Sequence, residues 1–265
     1  MAASNAQDRR EAQREAIRKQ RQAELKRQRS IRTIVISAIV VVVLLIVAGI
    51  GYLVWSATRP EGPVATPQGI SEDQPYYVLG APEDSGKPVV EMHLDFMCPI
   101  CGQFEEINGK DLRSVIDDKE ATVHLSTRRF LDSNSTSGDY STRAANAAAC
   151  VYDDDPDNFM DFQTSLFDNQ PKEGTEGLSD DELAQYAKKA GASDSVSSCI
   201  DEGTFKPWVR KVVDPAADET SDGKGTPYVT VDGTELDSTQ WGKEGVLLKT
   251  IQDADGESAS DGGQA

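Results

Sequence analysis

From Ile34 to Trp55 the chain reads IVISAIVVVVLLIVAGIGYLVW, 22 residues without a charge. A helix rising ~1.5 Å per residue over that length crosses a hydrocarbon core of ~30 Å. A buried core helix so long would keep a polar face, and none is present. The stretch therefore predicts one N-terminal transmembrane helix over 34–55, with Tyr52 and Trp55 where interfacial aromatics belong.

Charge sets the orientation. Residues 1–32 hold ten Lys/Arg and four Asp/Glu, a balance of +6, and Thr33–Thr58 holds no charge. From Arg59 onward 17 basic residues face 41 acidic ones, a balance of −24, which brings the 265-residue chain to its net −18. Basic flanks stay in the cytoplasm, so 1–33 is read as a cytoplasmic tail and everything after the span as extracytoplasmic. The apolar run is too long for a cleaved signal peptide and Ser56-Ala57-Thr58 is a poor cleavage site, so the expectation is an uncleaved, single-pass anchor in the cell membrane. The acidic exterior excludes a nucleic-acid grip, since phosphates would be repelled.

Composition then divides the exterior. Residues 56–74 carry Pro60, Pro63, Pro67 and two glycines with no apolar period, a tether. Residues 253–265 are Asp, Gly, Ser and Ala with almost nothing apolar and read as a disordered tail. One domain, 75–252, lies between. In it Pro88–Phe96 reads as a strand, Cys98–Lys119 has helical spacing, and Ala121–Leu131 is a second strand, together a right-handed βαβ unit. Helical composition follows over about 138–215, with Ser179 and Glu182 spaced as a capping box. Strand character returns at Pro227–Val231, Asp232-Gly233 reads as a hairpin turn, and Trp241–Ile251 reads as a closing helix. The fold class is α/β, a mixed sheet interrupted by a helical insertion.

Four cysteines, 98, 101, 150 and 199, all fall on the exterior side, where disulfides persist. Cys98-Pro99-Ile100-Cys101 sits where a strand feeds a helix. The first thiol then faces the unpaired N–H groups and positive end of that helix, which favour thiolate and make Cys98 the attacking and leaving sulfur. Pro99 has no N–H to lose and suits a first helical turn. Cys101 is placed to close a disulfide with Cys98 or to resolve a mixed one. Zinc would need two further ligands, but His93 and His124 fall on predicted strands and no second close Cys pair exists. Cys150 and Cys199 read as a structural bridge across the insertion, with a second redox pair as the alternative. Asp95 reads as a polar neighbour or a solvated strand-end carboxylate, and the acidic clusters Asp153–Asp157 and Asp214–Asp222 as solvated loops. His93 and His124 read as satisfied strand residues, and Phe159, Phe162 and Phe167 as insertion core.

Asp95-Phe-Met-Cys-Pro-Ile-Cys101 after a strand, then a helical insertion, then Gly225-Thr-Pro-Tyr-Val-Thr-Val-Asp-Gly233, resembles the thioredoxin-fold thiol-disulfide oxidoreductases of the DsbA type, in particular the membrane-anchored ones of actinobacteria. The resemblance implies a thioredoxin-like fold over 75–252, Cys98 as nucleophile, and Cys101 as buried resolving thiol. It implies Pro227 as a cis-proline beside the disulfide, with Thr226 offering its backbone to substrate. It implies no organic cofactor and no metal, reduced or unfolded exported proteins as substrates, and a DsbB- or VKOR-like membrane reoxidase as partner. The expected activity is disulfide introduction, against a reductase or isomerase on the same fold and a non-catalytic envelope binding module. Two positions depart from the pattern. Ile100 stands where the best-known oxidants carry His, and Met92 stands where an acidic strand residue is common.

Overall fold

The computed structural model describes residues 64–261. The predicted tail and membrane span lie outside the described residues, and no helix among those described is long and apolar enough to cross a membrane.

Five strands, β1 (Tyr77–Gly80), β2 (Val89–Leu94), β3 (Thr122–Thr127), β4 (Tyr228–Val231) and β5 (Thr234–Glu235), form one sheet in the order β1-β3-β2-β4-β5. β2 and β3 are parallel, from Val89 opposite Thr122 to Leu94 opposite Thr127, and helix α1 (Pro99–Asp117) connects them. That is the βαβ unit expected from the sequence. β1 and β4 flank it antiparallel, and β5 follows the Asp232-Gly233 turn. Asp232 and Gly233 both have positive φ, 47° and 75°, the pair a two-residue hairpin needs.

Because side chains alternate along a strand, the register puts Tyr77, Leu79, Val90, Met92, Leu125 and Val229 on one face, all buried. Glu91, His93, His124 and Tyr228 share the other. The buried face of α1 carries Phe104, Leu112 and Val115. Trp241, from α8 (Ser238–Trp241), sets its ring edge on Phe104 with 5.3 Å between centroids. Tyr77 anchors the edge strand in a cluster with Tyr152, Phe159 and Trp208, at 4.9, 4.8 and 5.4 Å. Aromatic pairs of this kind add ~0.5–1.5 kcal/mol each beyond their burial.

The insertion between β3 and β4 holds α2 (Tyr140–Asp154), α3 (Phe159–Asp168), α4 (Asp180–Lys189) and α5 (Ser195–Glu202). α2 is buried through its Ala-rich middle, where small side chains let neighbouring helices approach. α4 starts with the capping box: the Ser179 side chain accepts from Glu182 N–H and Glu182 accepts from Ser179 N–H. Cys150 and Cys199 are joined by a disulfide tying α2 to α5, with 5.9 Å between Cα atoms. Phe159, Phe162 and Phe167 are all buried.

Four sequence expectations need correction. The return to the sheet is a helical run, α6 (Lys206–Trp208), a π-helical turn (Val209–Val213) and α7 (Asp214–Thr220), so Asp214–Asp222 is mostly helix and not a solvated loop. The insertion thus extends to Thr220, past 215. The closing helix α9 (Val246–Asp261) continues into the stretch assigned to disorder, because Ile251 is buried, Ala254 packs on the core and Lys87 pairs with Asp255 at 2.9 Å. The second half of the tether also lies along the domain: Ile70 is buried, and Gln74 O accepts from Trp208 Nε1 at 3.1 Å.

Candidate active site

Cys98 is the N-cap of α1, with φ −72° and ψ 115°, and Pro99 follows at the first helical position. Its N–H donates to Asp95 O at 3.0 Å, and its carbonyl accepts from Gly102 N–H at 3.1 Å. Cys98 is 6% exposed and Cys101 is fully enclosed, both as free thiols. The Thr226–Pro227 bond is cis, and the Cys98 thiol donates to Thr226 O at 3.3 Å. Cys98, Pro99, Ile100, Cys101, Thr226 and Pro227 therefore come together at one end of the sheet. Cys150 and Cys199 stand apart in the insertion. The Thr226 side chain favours the anionic form of both sulfurs.

Electrostatics separate the two thiols. The Cys98 pKa falls from 9.0 to about 6, first because Cys101 donates to its sulfur, then through Thr226 and the N–H groups of Cys101 and Ile100, against an opposing desolvation. Cys101 is pushed well above 9.0, chiefly by burial and then by its bond with Cys98. Near neutral pH one sulfur is a thiolate and the other holds its proton.

Sequence reasoning missed two supports of this site, Arg128 and Gln170, and left a third, Asp95, open between a polar neighbour and a solvated carboxylate. Asp95 is not a solvated carboxylate. It is fully buried, its Oδ1 accepting from Met97 N–H and Ser141 Oγ and its Oδ2 from Leu131 N–H, each at 2.8 Å. Burial raises its pKa to about 7 against those bonds, and the Cys98 charge adds to the rise. Arg128, 2% exposed, reaches Asp214 at 3.0 Å, Asp218 at 3.2 Å and the Lys224 carbonyl at 3.3 Å, while its N–H donates to Leu94 O at 2.7 Å. It joins the end of β2 to the segment leading into Thr226. Gln170, beyond α3, donates from Nε2 to the carbonyls of Phe96 and Cys98. Apart from the Met97 N–H on Asp95, the contacts that place these side chains at the site run to segments 34 or more positions away, which no local pattern reports.

Ile100, between the two cysteines, and Phe130, beside Gly225, are exposed large apolar side chains, at 43% and 45%. A groove of about 740 Å³ opens next to Pro99, Gly102 and Gln170. His93 Nε2 meets Glu91 at 3.0 Å, while its Nδ1 is buried without a partner. No cluster of three or more potential metal ligands occurs among the described residues.

A family model described as thioredoxin matches residues 74–249. The chain belongs to the thioredoxin family. Within that family its fold is the DsbA-like one. It is similar to oxidised DsbA of Mycobacterium tuberculosis, with TM-score 0.55 and 29% identity over 74% of this chain and 90% of that one. It is also similar to reduced DsbG, a disulfide bond oxidoreductase of the same species, with TM-score 0.54 and 29% identity over 73% and 84%. MdbA of Actinomyces oris, 20% identical with TM-score 0.58 over 73% and 93%, shares the fold. The serine/threonine-protein kinase PknE of Mycobacterium tuberculosis is 34% identical over 139 residues, 50% of this chain and 25% of the kinase. The chain thus spans about a quarter of the length of the curated relatives it matches.

Proposed function

We propose that this thioredoxin-family protein is a membrane-anchored protein-disulfide oxidoreductase that introduces disulfides into exported proteins outside the cytoplasm. The observation that carries the reading is the contrast between Cys98, acidified to about 6, and Cys101, buried and held protonated. A stabilised Cys98 thiolate stabilises the reduced enzyme, which makes its disulfide oxidising. The solved relatives DsbA and DsbG support the chemistry, and the basic tail before an apolar stretch supports the location.

In the oxidised enzyme a substrate thiolate attacks Cys98 Sγ. The Cys98–Cys101 bond breaks, a substrate–Cys98 disulfide forms, and Cys101 leaves and takes up a proton. A second substrate thiolate attacks the substrate sulfur of that mixed disulfide and releases Cys98 as a thiolate. Two electrons pass from the substrate dithiol to the enzyme, and a DsbB- or VKOR-like quinone-linked membrane partner takes them on. No organic cofactor takes part. Ile100 in place of His leaves the Cys98 thiolate with one stabiliser fewer, so the disulfide is milder than that of the strongest oxidants.

The test is the Cys98–Cys101 potential in a thiol redox buffer. A value well above about −200 mV supports the oxidase, and one near thioredoxin's ~−270 mV sinks it in favour of a reductase. The stretch shared with a kinase favours a second reading, a module that binds or senses without turnover. Oxidative refolding of a reduced test protein separates the two, since a Cys98→Ser variant stops the enzyme and leaves a binder unaffected.

A further inference from the structure

Two side chains from the end of α3 grip the loop that carries Cys98. Phe167 rests on Phe96 with 5.2 Å between ring centroids. Gln170 Nε2 donates to the Cys98 carbonyl at 2.8 Å and to the Phe96 carbonyl at 3.2 Å. The Cys98 carbonyl also accepts from Gly102 N–H, so it carries two bonds at the start of α1. Gly102 itself makes room for this contact. A Cβ at that position would lie 2.6 Å from Gln170 Oε1, closer than atoms approach. No left-handed backbone asks for glycine there. Glycine is the poorest helix former after proline, so a steric reason must outweigh its cost.

We infer that Gln170 is a positioning residue for Cys98, holding the Phe96 and Cys98 carbonyls toward the insertion so that the N–H groups of Ile100 and Cys101 stay aimed at Sγ, with Gly102 as the space that admits it. Its amide also offsets the negative partial charge on the carbonyl of Cys98 itself. Those two N–H groups are among the causes of the lowered Cys98 pKa, which gives the arrangement a chemical consequence. Through this contact the helical insertion acts on the redox pair.

The inference takes Cys98 as the attacking sulfur, but its test reads ionisation and not turnover. The rate of Cys98 alkylation is followed against pH in the reduced full-length chain, with the modified residue located by mass spectrometry. In Gln170→Ala the midpoint rises by about half to one pH unit, the scale of one or two hydrogen bonds. In Gly102→Ala it rises alike, because the new methyl displaces the far end of a flexible side chain, while the melting temperature holds or increases. The double variant shifts no further than either single one. Gln170→Glu shifts the midpoint more than Gln170→Ala, since a carboxylate then opposes two carbonyls. An unchanged midpoint in Gly102→Ala, or shifts that add in the double variant, overturns the inference. If Gln170→Ala does not fold, Gly102→Ala and Gln170→Glu decide it. A shifted midpoint in a protein that fails to oxidise substrates keeps the positioning role and rejects the oxidase reading.

Discussion

Cys98 Sγ lies 3.3 Å from the carbonyl oxygen of Thr226, 128 positions further along the chain. The sheet brings them together: β2 and β4 are antiparallel neighbours, His93 opposite Tyr228, so the end of one strand meets the start of the other. Cys98 Sγ thus has a helix N-terminus on one side and a strand-entry segment on the other. Removing only the hydroxyl, in Thr226→Val, should raise the Cys98 pKa by roughly half a unit while Cys101 stays protonated. Thiol alkylation across pH 4–10 checks this, and an unchanged midpoint near about 6 means the hydroxyl plays no part.

Trapping identifies the order of the two sulfurs. A Cys101→Ala variant should accumulate mixed disulfides at Cys98, whereas Cys98→Ala should accumulate almost none, because Cys101 is enclosed and keeps its proton. Non-reducing electrophoresis followed by mass spectrometry reads the result. Adducts that favour Cys101 would reverse the assignment.

Asp95 and Cys98 give stability a pH dependence of opposite sign. The folded pKa of Asp95 is raised from 3.8 to about 7, so the folded state binds more protons than the unfolded state between those values. Stability therefore falls as pH rises from ~4 to ~7, by a few kcal/mol, and levels off above. The folded pKa of Cys98 is lowered from 9.0 to about 6, so in the reduced protein stability rises between ~6 and ~9. Oxidation removes the second effect. Urea titrations of both redox forms at several pH values test this, and Asp95→Asn should flatten the acidic limb.

The bridge between Cys150 and Cys199 closes a loop of 49 positions. Replacing both with Ala should cost between ~3 and ~4.7 kcal/mol, the loop-entropy range for closures of ~15 to ~100 residues. The Cys98 midpoint should not move, because the bridge ties α2 to α5 while the insertion's contact with Cys98 runs through Gln170, beyond α3. Denaturation and alkylation of the same variant separate stability from site chemistry.

Arg128→Met leaves Asp214 and Asp218 without their buried guanidinium and takes one of two side-chain donors from the Lys224 carbonyl, the Ser221 hydroxyl remaining. Breaking a buried ion pair in this way costs ~3–5 kcal/mol. Hydrogen exchange should rise at Lys224–Tyr228, and rigidity there in a folded variant would show that the segment is held by other contacts.

Motifs that act within a few residues were legible in the sequence. The CPIC run, Pro99 at a helix start, the Ser179/Glu182 capping box and the Asp232-Gly233 turn each state their local geometry. β1 was not anticipated, because Tyr77–Gly80 is short and gains its place only from β3 and from the rings around Tyr77. α7 was read as a solvated loop, because its acidic residues have no partner until the fold delivers Arg128. Asp95 shows the same limit. A carboxylate at a strand end is ordinarily wet, and only Leu131 and Ser141, from two other segments, enclose it.

The sequence by itself determined the βαβ frame, the CPIC pair at its strand-to-helix junction and the cysteines left for a bridge. These follow from periodicity, helix-terminus electrostatics and residue type, which operate over one or two turns. Only the tertiary structure decided how acidic Cys98 is, how tightly Cys101 is enclosed, and which groups hold them. Desolvation and hydrogen bonding depend on what the remote chain brings to within about 3 Å, and no spacing of residues encodes that distance.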